Sequence, residues 1–180
     1  ARLLDEAAKM EGDLRIGRPI GGIGRGDRGG VVLPSCPEMA AGVVAVASAC
    51  TSAPLNMAYR ADEFEFYLSD LNAKALIVAQ GSETPARAVA AKLGIRVLEL
   101  VARPERGAGD FELAAADGLA STPAVQGGPA QADDVALILH TSGTTSRPKI
   151  VPLSHRNVSA SARNISHTLQ LTPKDVELHI

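Results

Sequence analysis

The sequence predicts an α/β fold, a largely parallel sheet with flanking helices. Three observations carry this. Short apolar runs of strand length recur at residues 31–33, 51–55, 75–79, 95–101 and 135–140. Stretches with apolar residues at helical spacing lie between the first four of them. The resulting order, β-α-β-α-β-α-β, requires crossover connections, which place helices over a parallel sheet. A chain of 180 residues is long enough to bury a core, and its length suggests one domain.

Taken in order, residues 3–10 read as the end of a helix, and 16–30 are dominated by glycine and charge. Gly24, Gly26 and Gly29 fit the spacing G-x-G-x-x-G, but a dinucleotide fingerprint follows a strand and opens a helix. Here the apolar run comes after the glycines, so the segment reads as a turn. Gly29 and Gly30 are expected to weaken the strand at 31–33, because glycine offers no side chain to pack. Ser35, Pro37 and Glu38 supply a hydroxyl, an early proline and an acid three residues on, the signature of a helix start. Met39, Val43, Val46, Ala47 and Cys50 then share one helical face.

Asp62 and Glu65 open a second helix, in which Phe64, Tyr67, Leu68 and Leu71 recur at helical spacing. That stripe assigns the aromatics to the core rather than to a stacking platform. Residues 75–79 read as a buried strand, 85–93 as a helix ended by Gly94, and 95–101 as another strand. From 103 to 133 the rhythm is broken by Gly107, Gly109, Pro123, Gly127, Gly128 and Pro129. This connector is expected to hold a short helix around 111–119. After the strand at 135–140 a second extended segment follows at 149–153. Ser154 caps the next helix, whose apolar face is Val158, Ala162, Ile165 and Leu169, and Pro173 marks its end. His155 and Asn157 fall in its first turn, where capping, a surface role and support of the preceding loop are all open.

Between the last two extended segments lie Thr141, Ser142, Gly143, Thr144, Thr145, Ser146, Arg147, Pro148 and Lys149. Hydroxyl and backbone N–H donors can surround phosphate oxygens, Gly143 permits close approach of the backbone, and Lys149 supplies mobile positive charge. The segment therefore reads as a phosphate-binding loop over 141–149, with Thr141, Ser142, Gly143, Thr144, Thr145 and Lys149 as the nucleotide- or pyrophosphate-binding residues. It is not a Walker loop, which needs G-x-x-x-x-G-K-[ST] running into a helix. Lys149 follows Pro148 and precedes Ile150, Val151 and Pro152, which read as extended chain.

The order Thr-Ser-Gly-Thr-Thr-x-x-Pro-Lys resembles the signature of the adenylate-forming (AMP-binding) superfamily, which includes acyl-CoA synthetases, luciferases and the adenylation domains of peptide synthetases. A second stretch, with Pro54, Leu55, Asn56, Tyr59, Arg60, Glu63 and Phe64, resembles the early strand–helix–strand segment of acyl-CoA synthetases. Asp27 and Arg28 before a strand resemble the early G-D-R segment of the family. The wording from Leu139 to Asn157 is closest to oxalate–CoA ligase-like members. The sequence departs from the pattern at Ser146 and Ile150, where many relatives have glycine, and at Met57, where proline is common.

The resemblance implies ATP-dependent activation of a small carboxylic acid through an acyl-adenylate, followed by thioester formation with coenzyme A, with Mg²⁺ assisting. Thr144 or Thr145 is implied to touch a metal-bound water, with the choice between them open. A carrier protein in place of coenzyme A is an open alternative as acceptor. The chain is expected to be an N-terminal fragment, a partial AMP-binding domain over 1–180 without the C-terminal domain. In the family, later motifs supply adenine stacking, an acidic residue for magnesium, a ribose-binding aspartate, the hinge and a C-terminal lysine. None falls in these residues, so the chain alone is expected to be catalytically incomplete, and no catalytic residue or protein metal ligand is assigned. The alternative is a noncatalytic phosphate-binding or interaction module.

Composition narrows the classes further. A formal net charge of −2 with scattered basic residues argues against a nucleic-acid-binding face. Two cysteines, Cys36 and Cys50, make no disulfide framework and lack metal-ligand spacing, which points to buried thiols in a reduced, cytoplasmic setting. No apolar run reaches membrane-spanning length.

Overall fold

The computed structural model describes residues 23–116, 128, 130–141, 148–172 and 174–175. The helix expected over 3–10 and most of the glycine-rich stretch after it lie outside the described residues. Among the described residues, seven strands form one sheet in the order β5-β4-β3-β1-β2-β6-β7. The strands are β1 (Arg28–Val32), β2 (Thr51–Pro54), β3 (Ala75–Ala79), β4 (Arg96–Ala102), β5 (Phe111–Ala115), β6 (Val135–Thr141) and β7 (Lys149–Ser154). Helices α1 (Pro37–Ala49), α2 (Ala61–Asp70), α3 (Pro85–Leu93) and α4 (His155–Thr168) complete the fold. The five inner strands run parallel. The two outer ones, β5 and β7, pair antiparallel to their neighbours.

Alternation along β3 divides the core between the two faces of the sheet. Leu76 and Val78 join Phe64, Leu68 and Leu71 of α2 and Val89 of α3. Ala75 and Ile77 join Ala45 and Val46 of α1, with Leu98, Leu100 and Phe111. Helices α1, α2 and α3 each begin where the sequence supplies a start. Pro37 occupies the first turn of α1, Glu63 accepts a hydrogen bond from the Arg60 N–H at 2.9 Å ahead of α2, and Thr84 accepts one from Ala86 N at 3.3 Å ahead of α3. Gly94 ends α3 at φ 66°, a left-handed conformation that glycine adopts without steric penalty.

The structure differs from the sequence reading at three places. Gly29 and Gly30 stand within β1, which is nonetheless central and paired on both sides. A Cβ on Gly30 would lie 2.9 Å from Leu68 Cδ2, and one on Gly29 3.1 Å from Ile77 Cδ1, so the missing side chains let large residues from α2 and β3 close over the strand. In α1 the buried face is Ala41, Gly42, Ala45 and Val46 rather than one including Val43. Small residues bring this helix down onto the sheet, where a Cβ on Gly42 would meet Leu100 Cδ1 at 3.4 Å. The N-cap of α1 is Cys36 rather than Ser35, with no side-chain hydrogen bond.

The third difference is in the connector. Residues 111–115 form strand β5 instead of a helix. The alanines there favour a helix locally, but the open edge of β4 offers a backbone ladder from Ala102↔Phe111 to Leu98↔Ala115, and tertiary pairing overrides propensity. Phe111 is buried beneath α1, while Glu112 on the other face meets Arg103 at 2.8 Å. The remainder of that expected helix, 117–119, lies outside the described residues.

Candidate functional site

The base of the β6–β7 hairpin is tied to the rest of the sheet by several independent contacts. Thr51 Oγ1 donates to the Val135 carbonyl at 2.8 Å. The Arg25 guanidinium donates two hydrogen bonds to the Asp134 carboxylate, at 2.7 and 3.0 Å, joining the turn before β1 to the residue before β6. The Asp134 side chain also accepts from Gln131 N at 2.7 Å. The Arg25 hydrogen bonds, followed by the Gln131 N–H, hold its carboxyl down at about 2, well below an ordinary 3.8. The Gly24–Gly29 segment thus acts as a turn, closed by Asp27 N donating to the Gly24 carbonyl at 3.0 Å, with Gly26 at φ 85°.

On the far side of the hairpin, Ser154 caps α4. Its hydroxyl accepts from Asn157 N at 3.2 Å, and Asn157 Oδ1 accepts from Ser154 N at 3.0 Å. That reciprocal pair makes Asn157 a capping residue. His155 N donates to the Asp134 carbonyl at 3.0 Å, and Arg156 pairs with Asp133 at 2.9 Å. Both ends of the hairpin base therefore converge on Asp133 and Asp134.

At the opposite end of the hairpin, Thr141 and Lys149 face each other as the last pair of the antiparallel ladder, and both are exposed. A hydroxyl and an ammonium thus flank the connection between the strands. Ser142, Gly143, Thr144 and Thr145, together with Ser146 and Arg147, lie outside the described residues. The structure accordingly brings two of the six predicted phosphate-binding residues together. Parallel strands β1, β2 and β6 point their carboxyl ends the same way, so this pair sits at the edge where open α/β sheets receive ligands. Among the described residues no group of three His, Cys, Asp or Glu side chains is gathered to hold a metal ion. None of the helices among them is long and apolar enough to cross a membrane.

Directly before Thr141 is a side chain that sequence reasoning left without a role. The His140 ring packs edge-on against Tyr67 of α2, with centroids 4.6 Å apart, and Tyr67 in turn stacks on Tyr59 at 4.7 Å. Its Nε2 lies 3.5 Å from Asp70 Oδ2, at the outer limit for a hydrogen bond, and makes none. Burial lowers the imidazole pKa, and the neighbouring Asp70 carboxylate opposes this in part. Tyr59 is also desolvated, and burial followed by its hydrogen bond to Tyr67 pushes its phenol up to about 12.

Proteins of known identity are similar to this chain over most of its length. The family described as AMP-binding enzyme matches residues 19–180. An oxalate–CoA ligase of Arabidopsis thaliana is 40% identical over 155 residues, covering 86% of this chain and 30% of its own length. A probable CoA ligase of Humulus lupulus is likewise 40% identical over 156 residues, covering 86% of this chain and 29% of the relative. The apo crystal structure of MatB from Rhodopseudomonas palustris superposes with a TM-score of 0.68 at 28% identity, over 96% of this chain and 32% of that one. A long-chain-fatty-acid–CoA ligase from Archaeoglobus fulgidus gives 0.70 at 26% identity, over 97% of this chain and 33% of that one. The chain spans about a third of the length of these proteins or slightly less. The ordered run of hydroxyls, glycine and lysine is thus accompanied by a matching fold and by extended sequence identity, and the chain belongs to the AMP-binding enzyme family of adenylate-forming ligases.

Proposed function

We propose that this chain is the phosphate-handling part of the N-terminal domain of an ATP-dependent acyl-CoA synthetase acting on a small carboxylic acid. The observation that carries the reading is the pairing of Thr141 with Lys149 at the end of an anchored hairpin, on either side of the loop Ser142, Gly143, Thr144, Thr145. The names of relatives support the substrate class, since they include ligases for oxalate and malonate.

In such a reaction a carboxylate oxygen attacks the α-phosphorus of ATP and pyrophosphate departs. A thiolate then attacks the acyl carbon, and AMP leaves. The first step needs offsetting positive charge, because the β- and γ-phosphates repel the incoming carboxylate and gather further charge as they leave. The Lys149 ammonium and the Thr141 hydroxyl bind those oxygens from the two ends of the loop, and the loop's hydroxyl and backbone donors bind them between. Magnesium, when carried by the nucleotide, adds charge neutralisation. Together such preorganised donors contribute on the order of several kcal/mol to a transition state of this kind.

Calorimetric titration of the chain with pyrophosphate, with and without magnesium, tests this reading. Magnesium-dependent binding that is lost in Lys149→Ala is expected. A chain that binds no pyrophosphate, or a Lys149→Ala variant that binds it as the parent does, overturns it.

A further inference from the structure

The end of β6 is held on one side only. Its parallel partner β2 pairs with it at a single ladder position, Ser52↔Leu137, and β2 stops at Pro54. Beyond Leu137 the ladder of β6 continues only with the outer strand β7, through Ile138↔Pro152, Leu139↔Val151, His140↔Ile150 and Thr141↔Lys149. Side-chain packing must then fix where the strand end lies. Ile138 is buried in the core beneath α2, and Leu139 and Thr141 are exposed on the alternate face. Among the last three residues of β6, His140 alone is enclosed, with 6% of its side chain exposed.

What encloses it is the last turn of α2. Tyr67 presents its ring to the imidazole, Tyr59 backs Tyr67 from the β2–α2 connection, and Asp70 lies at the rim, 39% exposed. The imidazole makes no hydrogen bond through Nε2, and what it offers α2 is the packing of its ring against Tyr67. A flat ring between strand and helix transmits the position of α2, itself anchored by the fully buried Phe64 and Leu68, to the residue next to Thr141.

We propose that His140 is a positioning residue for the phosphate loop: wedged against Tyr67 beside Asp70, its ring fixes the end of β6 and so holds Thr141 opposite Lys149. The inference rests on the phosphate-site reading above. Small displacements of a binding group lower affinity steeply, so release of the strand end is expected to weaken phosphate binding while leaving the sheet intact.

The test is calorimetric titration of magnesium pyrophosphate into the parent chain and into His140→Ala, His140→Phe, Tyr67→Ala and the double variant His140→Ala with Tyr67→Ala, each with its thermal unfolding midpoint recorded. His140→Ala is expected to weaken binding about tenfold at full stoichiometry. His140→Phe, which restores a ring, is expected to return to within about threefold of the parent. Tyr67→Ala should match the loss, and the double variant should bind no more weakly than either single one, because both disrupt the same wedge. If His140→Ala does not fold, His140→Leu, which keeps bulk without a flat ring, replaces it with the same expected loss.

A purely structural role lowers the fraction of binding-competent chain and leaves the affinity of that fraction unchanged, and this result overturns the proposal. So does a His140→Phe variant as weak as His140→Ala. If the parent binds magnesium pyrophosphate and the His140 variants bind it equally well, this inference alone fails. If the parent does not bind it, the reading of the site fails and the inference fails with it.

Discussion

Replacing Gly30 by alanine tests whether the close approach of α2 to the sheet depends on the missing side chain. The new Cβ would sit 2.9 Å from Leu68 Cδ2, 3.6 Å from Leu55 Cδ1 and 3.7 Å from Leu76 Cδ1. The last two distances are ordinary contacts, so the strain falls on Leu68. To reach a relaxed separation, its methyl group must withdraw by roughly 0.6–1 Å. Leu68 is fully buried between Phe64, Val78 and Leu71, and has little room to do so. Overpacking of this kind costs about 1–3 kcal/mol, and restricting the unfolded chain by Gly→Ala returns about 0.4–1 kcal/mol. Gly30 does not have a positive φ, so alanine adds no backbone strain. The net expectation is a loss of about 1–2 kcal/mol, read as a fall in the urea midpoint of roughly 0.5–1 M for a slope near 2 kcal/mol/M. Leu68→Ala removes the obstructing methyl group and on its own costs about 2–5 kcal/mol. In that background Gly30→Ala should become neutral or stabilising, since the added methyl enters the cavity. If Gly30→Ala costs the same in both backgrounds, the glycine is not what lets α2 sit this close.

Other consequences concern titration and reactivity. The Asp134 carboxyl, held near 2 by Arg25, contributes stability that is fully present above its ordinary 3.8 and is lost as pH falls from there through about 2. Asp134→Asn should therefore flatten the acid limb of the stability curve over that window and leave its slope near pH 7 unchanged. An unaltered acid limb in urea melts between pH 4 and pH 2 would remove the Arg25–Asp134 pair from the account. Cys50 is buried, and desolvation pushes its thiol up to about 12, so it should resist maleimide near pH 8 in the native chain and react on unfolding in urea. Modification of Cys50 at the rate of a free thiol under native conditions would show that the cluster around Ile77 and Leu98 is open.

Much of the fold was legible because its signals are local and repeated. Apolar runs of strand length, separated by helical spacing with Pro37 and Gly94 at helix ends, are enough to place the inner strands and α1 to α3. The failures share one physical cause, which is that the deciding contact lies far along the chain. Gly30 counts against a strand when its neighbours in sequence are considered, yet favours this strand because Leu68, thirty-eight residues on, fills the space left by its Cβ. Ala114 and Ala115 favour a helix until the free edge of β4 is present to pair with them. Val43 shares a helical face with Met39 and Val46, yet Ala41, Gly42 and Ala45 are buried in its place, because small residues let α1 pack closely on the sheet.

The site divides in the same way. The residues proposed for its chemistry are compact in sequence, and two of them, Thr141 and Lys149, meet as a ladder pair. Its mechanical support was not legible, because it is assembled from residues that are remote from the loop. Arg25 reaches Asp134 across 109 positions, and Tyr67 and Asp70 meet His140 across some seventy. A signal for the second contact did exist. The chain has only five phenylalanines and tyrosines in all, and Tyr59, Phe64, Phe66 and Tyr67 crowd into nine residues, more than the single apolar stripe of a ten-residue helix can bury. Phe64 enters the core, whereas Tyr67 on the same stripe is only partly buried at its margin and meets a partner from another element. A histidine at the end of an otherwise apolar strand, next to the proposed binding loop, requires one too. The two needs are met by each other, and this contact between His140 and the last turn of α2 is the one on which the proposed positioning of Thr141 rests.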